Sequence, residues 1–206
     1  MDLLDRIVTR PAHISLPRRS LLLALGASAV GSFSPHLAAH NEAGPVDPPQ
    51  LPPPSKLTLD DASSTTLQSL LKGRVTGLQL MFTSCQATCP IQGALFAETA
   101  KKLGDGNPAA QLLSVSIDPE RDTPAALAAW LKRFGQSPRW RAARPDKAQL
   151  DALVSFLKSK NPGPDPHTAQ VYYFDRKGRL ALRSVDFPPA TQIAITLEQL
   201  ATKGPK

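Results

Sequence analysis

Cys85 and Cys89 are the only cysteines in the 206-residue chain, and three residues separate them in Phe82-Thr-Ser-Cys-Gln-Ala-Thr-Cys-Pro90. A thiolate attacks disulfides and binds soft metals, so a close pair is a redox couple, a metal site or a plain structural disulfide. The run Val75-Thr-Gly-Leu-Gln-Leu-Met-Phe82 reads as a mostly buried strand. Pro90 is tolerated at the first helical position, where its missing N–H would be unpaired anyway. The strand therefore delivers two sulfurs to a helix N-terminus, whose positive dipole end favours thiolate.

Four histidines could join them: His13, His36, His40 and His167. The first two fall in an N-terminal segment that reads as an export signal, and His40 would stand at the extreme end of the mature chain. His167 is the imidazole left to the folded domain, in the loop Asn161-Pro-Gly-Pro-Asp-Pro-His167. Two thiolates and one imidazole suit a soft, low-coordinate metal such as Cu(I) or Zn. Structural zinc wants four ligands, and no fourth is evident. A blue-copper site would use one Cys, two His and a weak Met, whereas the only Met beyond the signal is Met81, inside the strand. Copper held by Cys85, Cys89 and His167 fits this donor set best. Thiol-only readings stay open. Redox-active pairs usually have two intervening residues rather than three, and a structural disulfide closing so short a loop would constrain the unfolded chain little. A second distinctive stretch is Ser116-Ile-Asp-Pro-Glu-Arg-Asp-Thr-Pro124, where Asp118 or Arg121 could orient the ligands.

These residues need elements to hold them. Pro90 to Leu103 reads as a helix with Ile91, Ala94, Leu95 and Leu103 on its inner face, interrupted by Thr99, and Gly104 to Pro108 ends it. Gln111 to Ile117 is a second buried strand. Thr123 caps a helix that Pro124 opens and that runs through Phe134. Asp146-Lys-Ala-Gln149 resembles a capping box for a helix to Lys158. Ala169–Phe174 and Leu180–Val185 flank the hairpin signal Asp175-Arg-Lys-Gly178. Pro189 to Thr202 closes the chain as a helix with Ile193, Leu197 and Leu200 inward. A parallel pair joined by a crossover, followed by a hairpin, predicts an α/β fold: a thioredoxin-like mixed sheet with helices on both faces.

The N-terminus sets the compartment. Basic residues at Arg18-Arg19, a short apolar run from Ser20 to Phe33 and small residues up to Ala39 read as a bacterial export signal over 1–39. Arg18-Arg19 with Leu21-Leu22 resembles a twin-arginine signal, with ordinary secretion as the alternative. An uncleaved signal would anchor the protein to the inner membrane; cleavage would release it to the periplasm. Residues 40–56 carry six prolines and read as an extended tether, leaving 57–206 as one domain. The net charge of +7 falls to +5 without residues 1–39, which hold four Arg and two Asp. No Lys/Arg block interleaved with aromatics marks a nucleic-acid face, while a modest basic surface can steer docking to an acidic partner.

With these motifs in order, the chain resembles the SCO/SenC family of thioredoxin-like copper proteins. The match lies in Cys85-x3-Cys89-Pro90, in Ser116 to Pro124, and in His167 ahead of a Tyr-rich strand and the Gly178 turn. The resemblance implies that Cys85, Cys89 and His167 bind one copper per chain, and that Cys85 and Cys89 form a disulfide when oxidised. It implies delivery of copper to the CuA-bearing subunit of cytochrome c oxidase, or to another periplasmic copper protein. The alternative activity is a thiol–disulfide oxidoreductase reducing the partner's cysteines, with Cys85 attacking, Cys89 resolving and His167 only modulating. A redox or copper sensor is a third reading. Two departures stand out: Gln86-Ala87 replaces the Pro-Asp common after the first cysteine, and Pro166 precedes the histidine, with the acidic Asp165 one position earlier.

Overall fold

The computed structural model describes residues 42–104, 108–159 and 168–202. The expected export signal, His167 and Asp165 lie outside them.

The centre of the fold is β4 (Val75–Met81), the strand expected before the cysteines, with every residue buried. A strand covered on both faces cannot show polar alternation, which is why it reads as a continuous apolar run. It pairs in parallel with β5 (Ala110–Ser116), which pairs in parallel with β6 (Trp140–Pro145). On its other side β4 pairs antiparallel with β7 (Tyr172–Phe174), which forms the expected hairpin with β8 (Leu180–Arg183). Gly178 supplies the positive φ of that turn, +75°, and its N–H donates to Asp175 O at 2.9 Å. With β1 (Gly44–Gln50), β2 (Lys56–Leu59) and β3 (Ser64–Thr66), the sheet has eight strands among the described residues, in the order β1-β8-β7-β4-β5-β6-β2-β3.

Helices cover both faces, as expected. The helices α2 (Thr88–Leu103), α3 (Pro124–Arg133) and α5 (Ala190–Thr202) bury Phe96, Trp130, Leu131, Ile193 and Leu197 against Val75, Met81 and Trp140. On the opposite face α1 (Leu67–Leu71) and α4 (Lys147–Leu157) bury Leu67, Leu71, Leu153 and Leu157 against Leu78, Leu80 and Val115.

Three expectations are corrected. The Pro-rich stretch is not simply a tether, because Gly44–Gln50 pairs antiparallel with β8 as an edge strand. Edge strands tolerate proline, since one row of backbone groups has no ladder to complete. The inner face of α2 is also rotated: Ile91 is 53% exposed, and the buried residues are Cys89, Gln92, Gly93, Phe96, Thr99, Ala100 and Leu103. Thr99 belongs to that face because its hydroxyl donates to Leu95 O at 2.7 Å and reaches Ala190 O of α5 at 3.4 Å. Finally, Asp146 is the N-cap of α4 without a capping-box bond; the Gln149 side chain instead accepts from Lys56 N–H of β2. The Thr123 cap forms as expected, accepting from Ala126 N–H at 3.2 Å.

Gly93 is where α2 meets the aromatic cluster of Trp130, Phe134 and Trp140. A Cβ there would lie 2.5 Å from the Phe134 ring, which packs edge-on to Trp130 with centroids 5.0 Å apart. Phe134 cannot swing away without opening that packing. Gly93→Ala is therefore expected to destabilise the fold by about 1–3 kcal/mol, the usual cost of overpacking. Urea denaturation measures it; a midpoint at or above wild type would contradict the close approach.

Candidate functional site

The cysteine turn begins where β4 ends. Cys85 N–H donates to Phe82 O at 3.2 Å, closing a tight turn, and α2 starts at Thr88 rather than Pro90. Pro90 still falls in the first turn, where no backbone N–H is required, and Cys89 enters the helix itself. The two thiols differ in access: Cys85 is half-buried, whereas Cys89 has no exposed surface. Cys89 N–H points at the Cys85 sulfur, 3.4 Å away. Partial burial pushes the Cys85 thiol up, but hydrogen bonds from the Cys89 N–H and side chain and from the Ala87 and Thr88 N–H groups outweigh it. The net effect holds Cys85 below the ordinary thiol value, as the helix N-terminus argument requires.

The second stretch reaches the same edge because Gln79 sits opposite Ser114, joined by a 2.9 Å hydrogen bond, which sets Met81 opposite Ser116. Asp118 and Arg121, the expected supports, pair with each other across 3.7 Å, with Arg121 82% exposed. The residue that turns toward the cysteine loop is Asp122, which the sequence reading passed over. Its carboxylate is 1% exposed. It accepts from Thr83 N–H at 3.1 and 3.2 Å, from the Thr83 hydroxyl at 2.5 Å and from the Ser116 hydroxyl at 2.6 Å. Ser116 Oγ accepts in turn from Asp118 N–H at 3.0 Å. The only signal available was composition, an acidic residue immediately before a helix cap in a charge-rich turn. An open crevice of about 430 Å³ beside this turn, bounded by Pro119, Glu120, Arg144 and Lys147, includes neither cysteine.

The third expected ligand, His167, precedes Thr168, which is buried. Thr168 O accepts from the Gln92 side chain at 3.5 Å, and Gln92 stands on α2 three residues beyond Cys89. The Thr168 hydroxyl lies 2.8 Å from the Tyr172 hydroxyl. Burial pushes the Tyr172 phenol up to about 12, with hydrogen bonding to Thr168 and Ser159 offsetting only part of it. Tyr172 thus stays neutral and joins Ser159 and Thr168, the described residues on either side of 160–167. Among the described residues no cluster of three or more His, Cys, Asp or Glu side chains forms a metal site.

A mixed sheet clothed by helices on both faces, with two thiols at a central strand-to-helix turn, defines a thioredoxin-like protein. The chain belongs to the SCO1/SenC family, whose model matches residues 53–202. It is similar to the copper-bound structure of Bradyrhizobium japonicum ScoI, at 26% identity over 73% of this chain and 99% of that one, with a TM-score of 0.61. It shares the fold of BsSco, a member of the Sco family of cytochrome c oxidase assembly proteins with a disulfide switch, at 21% identity, 80% and 98% coverage and a TM-score of 0.64. A SCO1 protein homolog of Bacillus subtilis is 37% identical over 67 residues, 32% of this chain and 34% of the relative, so that match spans about a third of the relative's length.

Proposed function

We propose that the protein is a periplasmic copper chaperone that binds one copper through Cys85, Cys89 and His167 and passes it to the CuA-bearing subunit of cytochrome c oxidase by ligand exchange. The observation that carries this reading is the placement of two thiols in one strand-to-helix turn, with Cys89 N–H on the Cys85 sulfur. N–H groups converging on sulfur favour thiolate, the form that ligates Cu(I). The contact between Gln92 on the cysteine helix and Thr168, the residue after His167, supports the third ligand. Copper in the related B. japonicum ScoI and the oxidase-assembly role of the family to which BsSco belongs support the metal and the client. Asp118, Arg121 and Asp165 remain candidate supports for the ligands, and the basic run and apolar segment before Ala39 support export. No helix among the described residues is long and apolar enough to cross a membrane.

One observation favours a second reading. A half-buried Cys85 beside a fully buried Cys89 is the asymmetry of an attacking and a resolving thiol, so thiol–disulfide exchange on the partner's cysteines is the alternative activity.

Copper titration in both redox states tests the chaperone reading. The reduced protein is expected to hold one Cu(I) per chain. The oxidised protein is expected to lose tight binding, because a disulfide offers no thiolate. Unchanged affinity after complete oxidation would remove the cysteines from the site.

A further inference from the structure

We infer that Asp122 is a positioning residue for the cysteine pair, acting through Thr83 to hold the turn that presents Cys85. This rests on the reading of Cys85 and Cys89 as the working thiols, and extends it to a residue outside the ligand set. Asp122 belongs to the connection between β5 and α3, yet it binds both the backbone N–H and the hydroxyl of Thr83, two residues before Cys85. Its second oxygen is fixed from its own side by Ser116, and its backbone N–H donates to Asp118 O at 2.9 Å. The carboxylate is therefore held rigidly by one loop and grips the other. Burial makes the grip strong, since hydrogen bonds in a low-dielectric interior gain strength and an unmade one there is costly. The chain from Thr83 to Cys85 has little freedom left once Cys85 N–H also closes on Phe82 O. That geometry puts the Cys85 sulfur where Cys89 N–H reaches it.

The consequence is thermodynamic. Cradling by N–H groups stabilises the reduced pair, because a thiolate accepts hydrogen bonds better than a disulfide sulfur does. Loosening the turn weakens the cradle and tips the couple toward disulfide. Removing a carboxylate near a sulfur acts in the opposite direction, because it lowers repulsion of the thiolate. The sign of the change therefore separates positioning from simple electrostatics.

The test equilibrates the metal-free protein with glutathione: one protein S–S bond breaks, one glutathione S–S bond forms, and two glutathione thiol protons pass to the protein thiols. Asp122→Ala is expected to lower the constant for reduction about tenfold, or about 30 mV for this two-electron couple. Thr83→Val, which leaves the carboxylate and the backbone contact in place, is expected to lower it in the same direction by roughly threefold, a partial loss of the same support. Leu153→Ala, in the core on the far face of the sheet, serves as a destabilised control and is expected to leave the constant unchanged. The inference is overturned if Asp122→Ala raises the constant, if both site variants stay within twofold of wild type, or if Leu153→Ala shifts it equally. Should Asp122→Ala fail to fold by circular dichroism, Thr83→Val decides alone. No metal enters the measurement, so failure here touches Asp122 only, and failure of copper uptake touches only the chaperone reading.

Discussion

The reduced Cys85→Ser/Cys89→Ser double variant is expected to take up no tightly held copper, where the wild type takes one ion per chain. Serine replaces a soft sulfur that ionises near neutrality with a hard hydroxyl that does not, and Cu(I) selects soft thiolate donors. A lone imidazole cannot compensate. The fold should survive the change at Cys85, which is half-buried. At Cys89, fully buried in the cluster with Phe96 and Met81, a serine hydroxyl costs about 1–3 kcal/mol unless it finds a partner. Circular dichroism and thermal melting therefore accompany the titration. Competition against a chromophoric Cu(I) chelator gives the affinity. Copper uptake by the folded double variant equal to that of wild type would end the copper-site reading, because the two sulfurs are the core of the proposed donor set.

How far the sequence led depends on what each residue was asked to report. β4 and β5 were legible because strands buried on both faces are apolar throughout. Gly178 and Asp175 announced their turn through chemistry that few other residues offer, and Thr123-Pro124 marked a helix start by the same route. β6 was not legible. Trp140-Arg-Ala-Ala-Arg-Pro145 has no β-branched residue and two arginines, yet both are put to use. Arg141 pairs with Asp60 and Asp61 at 2.8 Å, and Arg144 donates to Pro119 O at 2.7 Å. Topology requires that strand all the same, because α3 and α4 lie on opposite faces of the sheet and the chain must cross between them. The strand β1 was hidden by its prolines, which mark a linker and an edge strand alike.

The face of α2 misled for a different reason. Hydrophobicity placed Ile91 inside, whereas burial follows Gln92, Gly93 and Thr99, each inward for a specific contact: Thr168, Phe134 and Ala190. The site shows the same limit. Cys85 and Cys89 were legible because their chemistry is rare in the chain and their spacing is local. Asp122 was not, because its role depends on a pairing across β4 and β5 that no local spacing encodes. Asp118 and Arg121 drew attention as charged residues near the site, but the structure spends them on each other. Charge in a loop reports solvent as readily as function, whereas the buried Asp122 carboxylate holds both Thr83 and Ser116.

His167 separates the two activities proposed for the thiols. His167→Ala is expected to weaken copper binding at least about tenfold, the scale on which losing a ligand's support already acts, while exchange with a model disulfide changes little. Exchange rate follows the thiolate character and access of the attacking sulfur. Among the described residues, both are set at Cys85 by the N–H groups of Ala87, Thr88 and Cys89 and by its partial burial. The fold should tolerate the change, because Thr168, the next residue, is held by Gln92 and Tyr172 through its own carbonyl and hydroxyl. The measurement is paired: competitive copper titration and disulfide-reduction kinetics on the same two proteins. Full copper affinity in the variant would strike His167 from the ligand set, and loss of exchange alongside it would make the oxidoreductase the working activity. A modest slowing of exchange fits either role, since an imidazolium near Cys85 also favours its thiolate. The titration therefore decides: a metal ligand is missed in proportion to the bond it made, whatever it does to its neighbour's proton.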